Sequence, residues 1–295
     1  MLSRPTLSLL LSGFFLLLPA LASAQDATQL IDTGLKPVLV KRSAFPFQSE
    51  LAKAAAKTAS SIRLKLKSTK ANQITDEADW FDRNVLARPL PALEEDYRYV
   101  PAETRWGELK LFRTSPSGEH VGIYAVARKL EKPVDGVYDE SFAYTAVLFN
   151  KDYKPVGLFV LDDFFPPILE MSQVALVDHV LYFDNNFNGY ASIMKEKTGY
   201  LVALDLDSGQ VRWSSSALTA SFRGFLVHGD VIFAGYGFTD EPDHLFVIDR
   251  SSGKVLQKEK LKSAHDFFVV KKDVLYVRCY DTDYEFTVVD KGSRK

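Results

Sequence analysis

The chain of 295 residues carries 36 Lys+Arg against 38 Asp+Glu, a formal net charge of −2, with 46% hydrophobic and 13% aromatic residues. That near balance excludes the basic footprint of a nucleic-acid or anionic-membrane binder, while length and apolar content suffice for a sizeable core. Cys279 is the single cysteine, which excludes an intramolecular disulfide and leaves packing to supply the stability.

Residues 1–24 read as a secretory signal peptide. Arg4 precedes an apolar run from Leu7 to Leu18, and Pro19 then leads to the small-residue site Ala22-Ser23-Ala24. The run is too short to span a membrane, and no later stretch reaches about 18 uninterrupted apolar residues. The expectation is export, periplasmic or secreted, with cleavage near Ala24.

Residues 25–106 form an N-terminal segment of mixed character. "QSELAKAAAKTASS" at 48–61 is rich in Ala, Leu and Lys and predicts one exposed helix. "IRLKLKS" at 62–68 alternates as a strand, and the Pro-rich "ARPLPALEEDYRYVP" at 87–101 reads as an irregular connection. A degenerate additional blade and a cap beside the repeats both remain open for this segment.

From residue 107 to 295 the chain repeats. "YLVALDLDSGQVRW" and "HLFVIDRSSGKVLQ" match at a constant offset of 44 residues through Asp205 and Asp249, Ser208 and Ser252, Gly209 and Gly253. Each repeat is preceded by a polar turn and a short β-branched run at Val180, Val231 and Val274, with a distant relative at Val121. Alternating apolar residues between Gly, Asp and Ser turns are strand and hairpin signals. Four strands, a to d, recurring every ~40 to 55 residues predict an all-β fold, a β-propeller of four-stranded antiparallel blades. The blades fall near 107–161, 171–214, 222–259 and 265–290.

The segment Ala203-Leu204-Asp205-Leu206-Asp207-Ser208-Gly209-Gln210-Val211-Arg212-Trp213 resembles the A-x-D-x-x-[TS]-G-x-x-x-W repeat of the pyrroloquinoline-quinone-type propellers. The resemblance covers about 180 residues and is complete in this copy alone. It implies that Trp213 docks against a neighbouring blade and that Asp205, Gly209, Asp249 and Gly253 are structural turn residues. It does not imply a quinone enzyme, because the chain is short and lacks the adjacent cysteine pair. The last blade ends after strand c, so an open edge needs a partner, and "KPVLVKR" at 36–42 is the expected closing strand.

The b-c and d-a loops emerge on one face of a propeller, and here they are acidic. Asp162, Asp163, Asp184, Asp240, Glu241, Asp243, Asp281 and Asp283 are the expected partner-binding rim, set against the plain reading that hairpin tips are rich in Asp and Asn for turn reasons. "DNNFNGY" at 184–190 has the spacing of half a calcium loop, with Asp184, Asn186 and Asn188 offering side-chain oxygens and Tyr190 its carbonyl. Lys195 stands where the bidentate Glu belongs, so calcium would be held by one carboxylate, and no other cofactor is expected. No nucleophile elbow or metal-ligand spacing marks a catalytic centre. The expected function is an exported binding or scaffold module for another envelope or extracellular protein. The alternative is a small hydrolase or lyase using rim carboxylates with a divalent ion.

Overall fold

The computed structural model describes residues 26–136, 138–290 and 292. The expected signal peptide, residues 1–24, lies outside the described residues. Among the described residues no helix is long and apolar enough to cross a membrane.

The N-terminal segment supplies four strands, β1 (Val38–Leu39), β2 (Phe47–Gln48), β3 (Ile62–Ala71) and β4 (Glu103–Thr104). Its helical segments include α1 (Glu50–Ala55) and α2 (Glu77–Asn84). Blade 1 is β5 (Gly107–Thr114), β6 (His120–Val134), β7 (Tyr138–Phe149) and β8 (Pro155–Val160). Blade 2 is β9 (Val174–Val177), β10 (Val180–Asn185), β11 (Tyr200–Asp205) and β12 (Gln210–Ser214). Blade 3 is β13 (Phe225–His228), β14 (Val231–Tyr236), β15 (His244–Asp249) and β16 (Val255–Lys260). Blade 4 contributes β17 (His265–Lys271), β18 (Val274–Cys279) and β19 (Thr282–Asp290). Each set is an antiparallel meander, and the chain is a β-propeller with four blades among the described residues.

The strands at blade centres are apolar on both faces because each blade is covered twice. Along β10, Leu181 and Phe183 pack toward blade 1, whereas Val180 and Tyr182 pack toward blade 3. Along β14, Ile232 and Ala234 face blade 2 while Val231 and Phe233 face blade 4. The period of two is intact, but the polar half of the usual alternation has been replaced by a second apolar set.

Closure comes from the N-terminal segment, through a different strand from the expected one. β3 completes blade 4, pairing antiparallel with β19 from Ile62 against Asp290 to Ala71 against Thr282. Residues 36–42 instead place β1 parallel to β8 of blade 1, Val38 opposite Phe159 and Leu39 opposite Val160. The physical reason is ladder length: ten consecutive extended residues satisfy the whole β19 edge, and two do not. Nor do residues 26–106 build a blade of their own: β1 and β4 add to the two edges of blade 1, β2 to blade 2 and β3 to blade 4. The expected helix at 48–61 is present as α1, shorter than expected, capped by the Ser49 hydroxyl accepting from the Ala52 N–H at 3.2 Å.

Blades 1 and 4 share no hydrophobic cluster among the described residues; residues 72–104 lie between them. On blade 4, Phe81 of α2 packs edge-on against Phe267 at 5.3 Å, and Lys271 donates to the Asn84 carbonyl at 2.8 Å. On blade 1, the Phe112 N–H donates to the Ala92 carbonyl at 2.9 Å, and Ile31 and Val100 cover the face formed by Phe112, Tyr124 and Phe149. The Pro-rich connection is therefore a strap across the last junction.

The turn residues behave alike in both strong repeats. Asp205 accepts from the Ser208 N–H and hydroxyl at 2.8 and 2.9 Å and from Arg212 Nε at 2.8 Å. Asp249 accepts from the Ser252 N–H and hydroxyl at 2.8 and 2.6 Å, and from the Ser60 N–H at 2.8 Å. Burial pushes both carboxyls up, but these hydrogen bonds outweigh it and hold both below the usual range. Gly209 and Gly253 sit at φ 66 and 70, the left-handed region that the turn requires.

Trp213 is fully buried, donates its indole N–H to the Arg250 carbonyl at 3.0 Å, and lies over Gly253. A Cβ at Gly253 would come within 2.5 Å of the indole, so the glycine of one repeat makes room for the tryptophan of the other. Trp213→Ala is expected to lower unfolding stability by about 3–5 kcal/mol in denaturant titration. An unchanged midpoint would contradict this docking role.

Candidate functional site

The strands nearest the propeller axis frame an open cavity of about 540 Å3. Blade 1 contributes Arg113, the approach to β9 contributes Ser172 and Gln173, the approach to β13 contributes Phe222 and Arg223, and blade 4 contributes Asp266, Phe267, Arg278 and Tyr280. Leu90 and Ala92 of the strap complete the wall. A recess of about 180 Å3 shares Arg113, Gln173, Arg223 and Asp266 and continues to Phe225 and Phe268. All four blades and the strap thus meet at one concave place, the usual geometry of a ligand site.

The mouth is aromatic. Tyr280 is 57% exposed and Tyr190 40% exposed. Phe238 stands between Tyr190 and Phe222, with ring centroids at 5.0 and 6.4 Å, and the Arg223 guanidinium lies 5.2 Å from the Phe222 centroid. Arg278 is buried deeper and spent on structure, donating to the Gln73 carbonyl and pairing with Asp76 and Asp283. Arg113 Nη1 donates to the carbonyls of Pro91, Ala92 and Phe112 at 2.7, 2.9 and 2.8 Å, fastening the strap. Burial lowers both Arg113 and Arg223 from their ordinary value.

Most members of the expected acidic rim are engaged in hydrogen bonds or ion pairs. Asp184 is fully buried: the Ser172 and Gln173 N–H groups donate to its Oδ1 at 2.8 and 2.9 Å, and the Ser172 hydroxyl donates to Oδ2. Asp283 accepts from Asn72 at 2.7 Å and faces Arg278, while Asp162 pairs with Arg128 at 3.1 Å. Asp163 is exposed on the turn after β8, and Asp240 is exposed at its hairpin tip. Glu241 is tied down by the Tyr236 hydroxyl at 2.5 Å and the Ala191 N–H at 2.6 Å. Asp281 accepts from the Ser263 and Thr282 hydroxyls at 2.9 and 3.0 Å.

At the junction of blades 3 and 4, Asp281 and Glu241 both act on Asp243. There Asp243 is pushed up to about 6 by burial and by Asp281 and Glu241. Lys260 and Lys262 line the same cleft as Asp240 and Asp243.

The calcium-like loop is equally committed to packing. Asp184 has no free oxygen to offer, Asn186 is 2% exposed with neither end of its carboxamide partnered, and Asn188 is exposed. A buried carboxamide presents a donor beside its acceptor, which suits water better than a cation. Phe187 stacks edge-on with Tyr138 of blade 1 at 4.8 Å, and Tyr190 meets Phe238 of blade 3. The loop "DNNFNGY" therefore joins three blades. No group of three or more His, Cys, Asp or Glu suited to a metal occurs among the described residues.

The arginines and aromatics of the axial cavity escaped the sequence reading. Their one available signal is position: Arg223 and Asp266 lie immediately before or at the start of a strand a, which faces the axis in every blade.

No protein-family model and no curated protein matches the chain. Among solved structures it is similar to Sqt1 of Saccharomyces cerevisiae, at 8% identity over 58% of this chain and 46% of that one, TM-score 0.35. It is also similar to BamB of Moraxella catarrhalis, at 15% identity over 64% and 69%, TM-score 0.27. Cobalt-substituted ACO of Synechocystis matches at 14% identity over 58% and 44%, TM-score 0.37. The chain spans about half the length of Sqt1 and ACO. The propeller assignment rests on the sheets themselves.

Burial raises Asp184 to about 6, against the opposing hydrogen bonds from Ser172 and Gln173. The unfolded chain ionises this group near its ordinary value of ~3.9, so Asp184 costs stability as pH rises from about 4 to about 6. Asp184→Asn can keep the same acceptor without that cost. Its unfolding free energy relative to the parent is expected to improve across that window, measured by denaturant titration at each pH. A difference independent of pH would contradict the assignment.

Proposed function

We propose that the protein is a binding module that engages its partner through the axial mouth, with Phe222, Tyr280, Tyr190 and Phe238 as contact residues. The observation that carries this reading is the cavity of about 540 Å3 to which all four blades and the strap contribute, bordered by exposed aromatic rings and arginine. Tyr, Phe and Arg at the centre of a concave patch are the residue types that dominate protein interfaces. The partner class is another envelope or extracellular protein, consistent with an exported chain.

The cleft at Glu241, Asp243 and Asp281 supports a second reading, in which the acidic loops bind a basic partner or a divalent ion serving hydrolase or lyase chemistry. The raised Asp243 carboxyl favours it, and the adjacent lysines oppose it.

The two readings separate experimentally. With tagged protein in an envelope extract, the Phe222→Ala, Tyr280→Ala double variant is expected to lose the partner captured by the parent, while Asp240→Lys, Asp281→Lys retains it. The reverse pattern, or a melting temperature raised by calcium and restored by EDTA, would favour the acidic cleft.

A further inference from the structure

Two guanidinium groups from non-adjacent blades line both the axial cavity and its inner recess, and neither is used up. Arg113 of blade 1 spends Nη1 on three carbonyls and stands 4.0 Å from Glu94 through Nε, but Nη2 has no partner among the described residues. Arg223, on the approach to blade 3, pairs with Asp266 through Nη1, and its Nε and Nη2 have none. Arg223 is exposed, and the half-buried Arg113 is not among the buried polar atoms lacking partners, so the spare donors have access to open space. The other lining acid, Glu77, is exposed at the mouth in the first turn of α2.

Around these donors the walls are mixed: Leu90, Phe222, Phe225, Phe267 and Phe268 stand beside Ser172, Gln173 and Tyr280. A guanidinium is a planar fork that binds carboxylate or phosphate with two parallel hydrogen bonds, and it binds more strongly where water is scarce. Each guanidinium already has a carboxylate beside it, and an anion carrying its own apolar body would meet both the spare donors and the aromatic walls. The available volume lies in the range of small-molecule sites.

We propose that the axial cavity binds a small organic anion, a carboxylate or phosphate on an aromatic or branched apolar body, held between Arg113 and Arg223. The proposal rests on the axial-mouth reading for its location, and adds the chemistry of what enters. Asp266 holds Arg223 through one nitrogen and the strap carbonyls hold Arg113 through another, and both side chains line the cavity.

The probe is 8-anilinonaphthalene-1-sulfonate, an aromatic anion whose fluorescence rises in a dry site, with the uncharged N-phenyl-1-naphthylamine as its control. Saturable binding of the anion at one site per chain is expected, with affinity falling on the order of tenfold or more in Arg223→Met and in Arg113→Met, and only partly restored by Lys at position 223. Melting temperature and near-UV circular dichroism check that each variant is folded. Should Arg113→Met fail to fold because the strap is released, the Arg223→Met and Arg223→Lys pair decides alone. Displacement by 3-phenylpropionate or by phenyl phosphate identifies the anionic group, and displacement by neither overturns the proposal. Equal binding of the uncharged control, or anion binding that depends on Phe222 but on neither arginine, would also overturn it. The latter result would leave the axial-mouth reading standing, whereas loss of partner capture without loss of probe binding would separate the two in the other direction.

Discussion

An open β19 edge is the constraint on which this molecule turns. Three consecutive strands of blade 4 leave a row of backbone donors and acceptors unpaired, and the outward faces of blades 1 and 4 have no next blade to cover them. The N-terminal segment answers both needs. β3 supplies the ladder to β19, and residues 72–104 lay α2 on blade 4 and Leu93 and Val100 on blade 1. Closure therefore couples parts of the chain more than 200 residues apart in sequence, as in the Arg278 to Asp76 pair and the Ser61 to Asp290 hydrogen bond.

That closure also makes the site. The strap forms one wall of the axial cavity, and the arginine that fastens it, Arg113, lines the same space. Structural and binding roles thus meet in one side chain. Elsewhere they are segregated: Asp184, Glu241 and Asp283 in the loops at the hairpin tips accept hydrogen bonds from neighbouring segments, while Asp163 and Asp240 are exposed.

The repeated core was legible in the sequence because its cause is local. A tight turn needs Asp, Ser and Gly at fixed spacing, and strands between two neighbours need apolar residues on both faces, so Asp205 to Gly209 and Asp249 to Gly253 announce their geometry. Trp213 was legible for the same reason. The closing strand was not, since residues 36–42 and 62–71 both look extended and only the length of the β19 edge selects between them. The engagement of Asp184 and Asp283 was not legible, because Ser172, Gln173 and Asn72 are donors that folding brings from the approach to β9 and from the strap. The axial arginines carried no repeat signal: Arg113 lies late in a first strand, Arg223 before one, and Arg278 in a second strand.

Amide hydrogen exchange across β3 and β19 tests the closure most directly. If the N-terminal strand completes the ring, residues 62–71 and 282–290 are slow to exchange and open together as denaturant rises, with matching free energies of opening. Rapid exchange in 62–71 beside a protected 282–290 would show that something else closes blade 4, and the strap, the cavity wall and the site built on them would lose their common support.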